Sequence, residues 1–112
     1  MKLRGQGSNC FSADELARYY DEYQMCFKCG MYNATDFHHN VERARPFTNS
    51  IINAIALCRD CHNDNSEFTH RPQQEEFFIK NMKWLLKRGY TLTTLDKEYI
   101  VEYDFDKILN RL

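Results

Sequence analysis

Cys26-Phe27-Lys28-Cys29-Gly30 and Asn53-Ala54-Ile55-Ala56-Leu57-Cys58-Arg59-Asp60-Cys61-His62 are the two stretches on which the fold turns. Each carries a pair of thiols three residues apart, a spacing at which one tight turn presents both sulfurs to a single ion. Gly30 follows the first pair and supplies a residue that tolerates positive φ at the exit of such a turn. Two such pairs in a short chain predict one closed, tetrahedral, all-sulfur site holding a structural Zn²⁺ through Cys26, Cys29, Cys58 and Cys61. The segment between the pairs, Gly30 to Leu57, is 28 residues long. That exceeds the separation in a simple zinc ribbon, so a structured insert is expected between the two halves of the site. Of the five cysteines, Cys10 is left over.

The insert and its exit carry the second signal. His38-His39 lies inside the gap, Asn53 stands five residues before Cys58, and His62 follows Cys61. The thiolates already fill a tetrahedral shell. Imidazoles placed beside a complete structural site therefore point to a second, open metal site. Taken singly, each of these residues has an ordinary structural explanation: a histidine pair as surface or core, His62 as a helix-start residue or substitute zinc ligand. It is their combination with the cysteine frame that points to chemistry.

Outward from this centre the chain reads as helical. Ser12-Ala13-Asp14-Glu15 has the form of a capping box, predicting a helix over residues 12–24 with Leu16, Tyr19, Tyr20 and Tyr23 on one face. Residues 25–68 form the expected zinc-bearing core. In it Tyr32 to His39 is strand-like, Asn40 to Ser50 is a loop, and Ile51 to Leu57 is an apolar run that periodicity leaves open between strand and helical turn. A short helix is expected from Arg59 to about Phe68. Residues 72–112 form a C-terminal helical extension of two helices. Pro72 opens the first, Lys87 and Arg88 suit its C-terminal end, and Gly89 closes it; Thr93 or Thr94 caps the second. Phe78, Met82, Leu85 and Leu86 give the first of these helices its apolar period, and Phe47, Tyr32 and Trp84 are expected to pack. The whole, residues 1–112, is expected to be a single α+β domain.

Composition sets the outer limits. The chain has 112 residues, 43% hydrophobic and 28% charged, with eight Phe and seven Tyr to furnish a core. No run reaches the roughly 18 to 20 apolar residues that cross a bilayer. Met1-Lys2-Leu3-Arg4-Gly5-Gln6-Gly7 has no apolar stretch of signal-peptide type. A soluble protein of the cytoplasm is expected, where paired cysteines bind metal before they form disulfides. The net charge of −1 neither announces nor excludes a nucleic-acid partner, because phosphate binding needs a local basic face rather than a basic total.

The segments Cys26 to Gly30, Asp36-Phe37-His38-His39 and Asn53 to His62 together resemble the HNH endonucleases in their zinc-bound ββα-metal form, over Cys26 to Asn63. The resemblance implies a β-hairpin and a helix around one catalytic divalent ion, with the four-cysteine zinc pinning one to the other. It implies a hydrolase that cuts DNA phosphodiester bonds, with Mg²⁺ or Mn²⁺ the expected ion and other divalent ions compatible. On the matching positions, His38 and His62 are implied as ligands of that ion and His39 as the general base. Asn53 is implied to hold the hairpin loop and orient the base. The chain departs from the family pattern after His62: Asn63-Asp64-Asn65-Ser66-Glu67 offers no further Lys or His. Water, phosphate, Asp64 or His70 is left as the third ligand. Asp36, two residues before His38, is a candidate ligand or partner of a ligand. Arg43, Arg45 and Arg59 are candidate phosphate contacts. A small nuclease without a recognition module suits a phage or mobile-element protein, with DNA as partner and the C-terminal helices as a face for a homodimer or for a phage or host protein. Two alternatives stand beside this one: a non-catalytic zinc module that binds DNA or protein, and a nuclease subunit of a larger complex.

Overall fold

The structure is a computed structural model and describes residues 11–21, 24–41, 46–63 and 70–112, with the backbone alone for His62 and Asn63. Its organising element is a two-stranded antiparallel sheet, β1 (Asp36–His39) against β2 (Ala54–Leu57), with Asp36 opposite Leu57, Phe37 opposite Ala56, His38 opposite Ile55 and His39 opposite Ala54. Side chains alternate across a strand, so this register assigns two faces. Ile55 and Leu57 join Cys26, Cys58 and Phe77 in a small cluster on one side. Phe37, Ala54 and Ala56 belong to the main core on the other. All four residues of β2 are buried because both of its faces are covered. That is why Ile51 to Leu57 shows no alternation that would have identified it as a strand.

The apolar run is in fact both of its options. A 3₁₀ turn, Ile51–Asn53, precedes β2. The Ser50 hydroxyl accepts from the Ile52 N–H at 3.4 Å and the Ser50 carbonyl accepts from the Asn53 N–H at 2.9 Å. Another 3₁₀ turn, Pro46–Asn49, lies within the stretch expected to be loop.

Five helices surround the sheet among the described residues: α1 (Ala13–Tyr19), α2 (Arg59–Asn63), α3 (Arg71–Lys87), α4 (Thr94–Glu102) and α5 (Asp106–Leu109). The Ser12 hydroxyl accepts from the Glu15 N–H at 3.4 Å, as an N-cap should. The helix it starts is shorter than residues 12–24, however. Tyr20 is extended, and the Tyr19 carbonyl receives the Trp84 indole N–H at 2.8 Å instead of continuing the helix. Leu16 and Tyr20 are buried as expected of the stripe, while Tyr23 lies outside the described residues. The end of α2 expected near Phe68 also lies outside them.

In α3, Pro72 occupies the first turn, and Gly89 ends the helix at φ +84° with the Tyr90 N–H returning to the Leu85 carbonyl at 3.0 Å. Phe78, Met82 and Leu85 are fully buried, but Leu86 is exposed. The fourth buried apolar residue of α3 is Phe77, on a second face turned to the cysteine cluster. Burying each such side chain contributes about 2 to 3 kcal/mol before entropy is subtracted. Tyr32, expected to pack, is exposed, whereas Phe47 is buried with its ring edge-on to Tyr103.

The extension holds three helices rather than two. Thr93 and Asp96 form a complete capping box at the start of α4. Asp104 then takes φ +58°, a left-handed conformation that Asp tolerates better than most residues, and α5 follows. Arg71 stabilises the break: its guanidinium donates to the Asp104 carbonyl at 2.7 Å and lies over the Phe105 ring at 4.3 Å. One core therefore runs through α1, the inner sheet face, α3, α4 and α5. No helix among the described residues is long and apolar enough to cross a membrane.

Candidate metal centre and active site

The first cysteine pair sits on a small hairpin of its own. Met25 bridges to Asn33, the Cys26 N–H donates to the Tyr32 carbonyl at 3.0 Å, and the Gly30 N–H closes on the Cys26 carbonyl at 3.0 Å. Gly30 takes φ +65°, as the turn required. This hairpin is tied to the sheet through the Phe27 N–H to Ala56 carbonyl (2.8 Å) and the Thr35 N–H to Leu57 carbonyl (2.9 Å). The second pair needs no separate hairpin: Cys58 follows β2 directly and Cys61 lies in α2.

All four Sγ atoms lie within 4.8 Å of one another, and Cys29 Sγ to Cys58 Sγ is 3.8 Å. An ion about 2.3 Å from each sulfur at the centre of a tetrahedron sets sulfurs about 3.8 Å apart. The cluster can therefore hold a structural metal such as zinc. Its electrostatics favour a thiolate on the first turn. Burial works against ionisation of Cys26, but N–H groups of Cys29, Cys58 and Lys28 aimed at its sulfur outweigh burial and hold it at about 6. Burial, reinforced by the neighbouring sulfurs, pushes Cys61 up, and burial does the same to Cys58. Four thiols this close cannot all ionise without a cation among them. Phe77 covers the cluster, and the Lys80 ammonium donates to the Phe27 carbonyl at 3.0 Å on its rim.

His38 and His39 occupy the last two positions of β1. The ladder is regular, so the two imidazoles leave opposite faces. His38 shares its face with Asp36, Ile55 and Leu57, the face of the cysteine cluster. His39 leaves on the side of the main core. Its ring stacks on Phe11, centroids 4.3 Å apart, and its Nε2 lies 3.1 Å from Asn49 Oδ1. An amide oxygen facing Nε2 suits a ring that carries a proton on that nitrogen. Asp36 accepts from the Thr35 hydroxyl at 3.2 Å.

Asn53 has its whole side-chain amide engaged. It is fully buried. Its Oδ1 accepts from the Val41 N–H (2.8 Å) and the Tyr99 hydroxyl (2.6 Å), and its Nδ2 donates to the carbonyls of Val41 (3.0 Å) and Thr48 (2.8 Å). Two donors and two accepted bonds exhaust what a side-chain amide offers. Asn53 thus holds the two ends of the loop that follows β1, and its own carbonyl receives the Asn40 N–H at 2.8 Å. The side-chain amide that meets the His39 ring at Nε2 is that of Asn49, not Asn53.

Of the other candidates, α2 packs against β1 and β2 and brings the His62 backbone beside the sheet, but the His62 side chain lies outside the described residues. So do Arg43, Arg45 and Asp64. Arg59 is exposed in the first turn of α2, and His70 is exposed at the start of α3. Among the described residues, the cysteines form the sole cluster of three or more candidate ligands.

Reading the sequence missed Asn49, Phe11 and Tyr99. Asn49 follows a buried Thr48 in a 3₁₀ turn whose position no periodicity marks, and Tyr99 lies 46 residues from the amide that it contacts. In the sequence, only a cap at Thr93 or Thr94 signalled where Tyr99's helix begins. No family model, no curated protein and no solved structure matches the chain.

Proposed function

We propose that the chain is a divalent-metal-dependent endonuclease of the HNH type, with a zinc-pinned ββα-metal core acting on DNA. The observation that carries this is the juxtaposition of parts: a histidine pair ends the strand whose partner strand runs straight into Cys58, the Cys61-His62 helix and the four-sulfur cluster. In this reading Cys26, Cys29, Cys58 and Cys61 hold the zinc, and His38 and His62 hold the catalytic ion. When bound, that ion would offset the negative charge that develops on the phosphate oxygens and on the departing 3′ oxygen.

His39 is the general base. It takes a proton from the attacking water while the Asn49 amide oxygen, 3.1 Å from Nε2, orients the ring. Its place across the strand from His38 suits in-line displacement, where attacking and leaving oxygens stand on opposite sides of phosphorus. A phosphate straddling the strand's end would meet the base on one side and His38 on the other. Asn53 keeps that end of the strand in register with the loop. Arg43, Arg45 and Arg59 remain the proposed phosphate contacts and Asp36 a proposed partner of the ion.

The test is cleavage of supercoiled plasmid with Mg²⁺ or Mn²⁺. His39→Ala should keep its zinc and its cooperative unfolding while losing about 100-fold or more in rate. Equal cleavage by the two proteins would overturn the proposal. A second reading has one observation in its favour: His39 is stacked and hydrogen-bonded as a purely structural histidine would be. Metal analysis separates the two, since a zinc-pinned binding module would take up one zinc and no second divalent ion.

A further inference from the structure

The turn over residues 50–53 is gripped by side chains from two distant helices. Asp96 and Tyr99, three residues apart on α4 and so on one face, reach its two ends. The fully buried Asp96 carboxylate accepts from the hydroxyls of Ser50 and Tyr90 and from the Thr93 N–H at 2.9 Å. The fully buried Tyr99 hydroxyl donates to Asn53 Oδ1 at 2.6 Å. From α3, Asn81 Nδ2 donates to the Ile51 carbonyl at 2.7 Å, and the Tyr20 hydroxyl donates to the Asn81 amide oxygen. The gripped turn and the residue before it both touch the histidine end of β1: Asn49 meets His39, and the carbonyl of Asn53, the turn's last residue, accepts from the Asn40 N–H. Asn53 would retain three of its four bonds without Tyr99, but its second acceptor site would be buried and unfilled.

We infer that α4 is part of the catalytic apparatus, with Tyr99 the positioning residue that fixes the Asn53 amide and, through it, the end of the strand that carries His39. The inference rests on the nuclease reading for its consequence but not for its geometry. Burial holds the Tyr99 hydroxyl well above its ordinary value, so it remains a donor throughout the working range. Its ring is a separate matter: it packs among Phe78, Tyr103 and Phe105. Removing the oxygen alone therefore isolates the positioning bond from the packing.

Tyr99→Phe in the full chain is the test, compared with Ile108→Val, a core change in α5 that serves as a control for stability loss. Tyr99→Phe should speed hydrogen exchange of the Val41 amide, the other donor to Asn53 Oδ1, by about 3- to 10-fold relative to that control. It should lower kcat on plasmid DNA by a similar factor with KM unchanged. Exchange and kcat that match the Ile108→Val protein would overturn the inference. Should Tyr99→Phe fail to fold, the wild-type protein decides: a slowly exchanging Tyr99 hydroxyl proton close to the Asn53 side chain is required, and its absence rejects the assignment. A wild-type protein that cuts no DNA removes the nuclease reading, while the Val41 exchange still judges the contact itself.

Discussion

The two faces of the small sheet are built on different principles. On one, Ile55 and Leu57 meet Cys26, Cys58 and Phe77, and the assembly is closed by four sulfurs contributed by two turns. On the other, where Phe37 is buried and His39 meets Asn49, order comes from neutral hydrogen bonds: Asn53, Asn81 and Tyr99, with the Asp96 carboxylate behind them. The first face offers a single joint, four sulfurs that could hold one metal ion, and local backbone. The second has many weak joints spread over some 60 residues of chain, as in the Tyr20 to Asn81 bond. A metal-closed side is fixed wherever its four ligands meet. A hydrogen-bonded side is fixed only when every partner has been delivered by the rest of the fold.

That contrast can be broken most severely from the sulfur side. Stripping the metal with a chelator, or making Cys58→Ser, should remove on the order of 10 kcal/mol of folding free energy and abolish the cooperative thermal transition. Metal content and circular dichroism measured together would check it. A stripped protein that melts as the loaded one does would show the sulfur cluster to be idle.

The next largest effect belongs to the other face. Asn53→Ala leaves the Val41 N–H and the Val41 and Thr48 carbonyls buried without their partner, which should cost about 2 to 4 kcal/mol in urea unfolding. The metal should remain at one per chain. Loss of metal in Asn53→Ala would mean that the two faces are one cooperative structure. The smallest effect sharpens the local character of the sulfur side. At Gly30 an added Cβ meets nothing within 4 Å, but φ is +65°. Gly30→Ala should therefore cost only about 1 to 2 kcal/mol through backbone strain, read as a small fall in melting temperature with metal affinity little changed.

How much was legible in advance follows the same division. The Cys-x-x-Cys pairs announced their own geometry, because a tetrahedral ion needs four sulfurs and a turn of four residues delivers two. Gly30, Gly89 and Pro72 each announced a backbone conformation that few other residues take readily, and each is found in it or beside it. The Ser12 cap was legible too, yet the end of its helix was not, since Trp84 captures the Tyr19 carbonyl. Leu86 fitted the helical period and is exposed, while Phe77 did not and is buried, because the cysteine cluster supplies α3 with a second apolar neighbour. Asn53 could be singled out by its spacing from Cys58. Its four bonds could not, since three of the four partner groups are backbone and the fourth is Tyr99.

By itself, then, the sequence determined the groups with obligatory local chemistry: thiols at metal spacing, glycines at positive φ, caps at helix starts and a histidine pair beside them. The tertiary structure alone decided the rest: that the histidines leave opposite faces of a regular strand, that Asn49 rather than Asn53 meets His39, and that Tyr99 and Asp96 grip the turn beneath. The physical reason is range. A coordination bond or a φ preference acts on the residue that carries it, whereas a buried hydrogen bond exists only after folding has brought both partners out of water together.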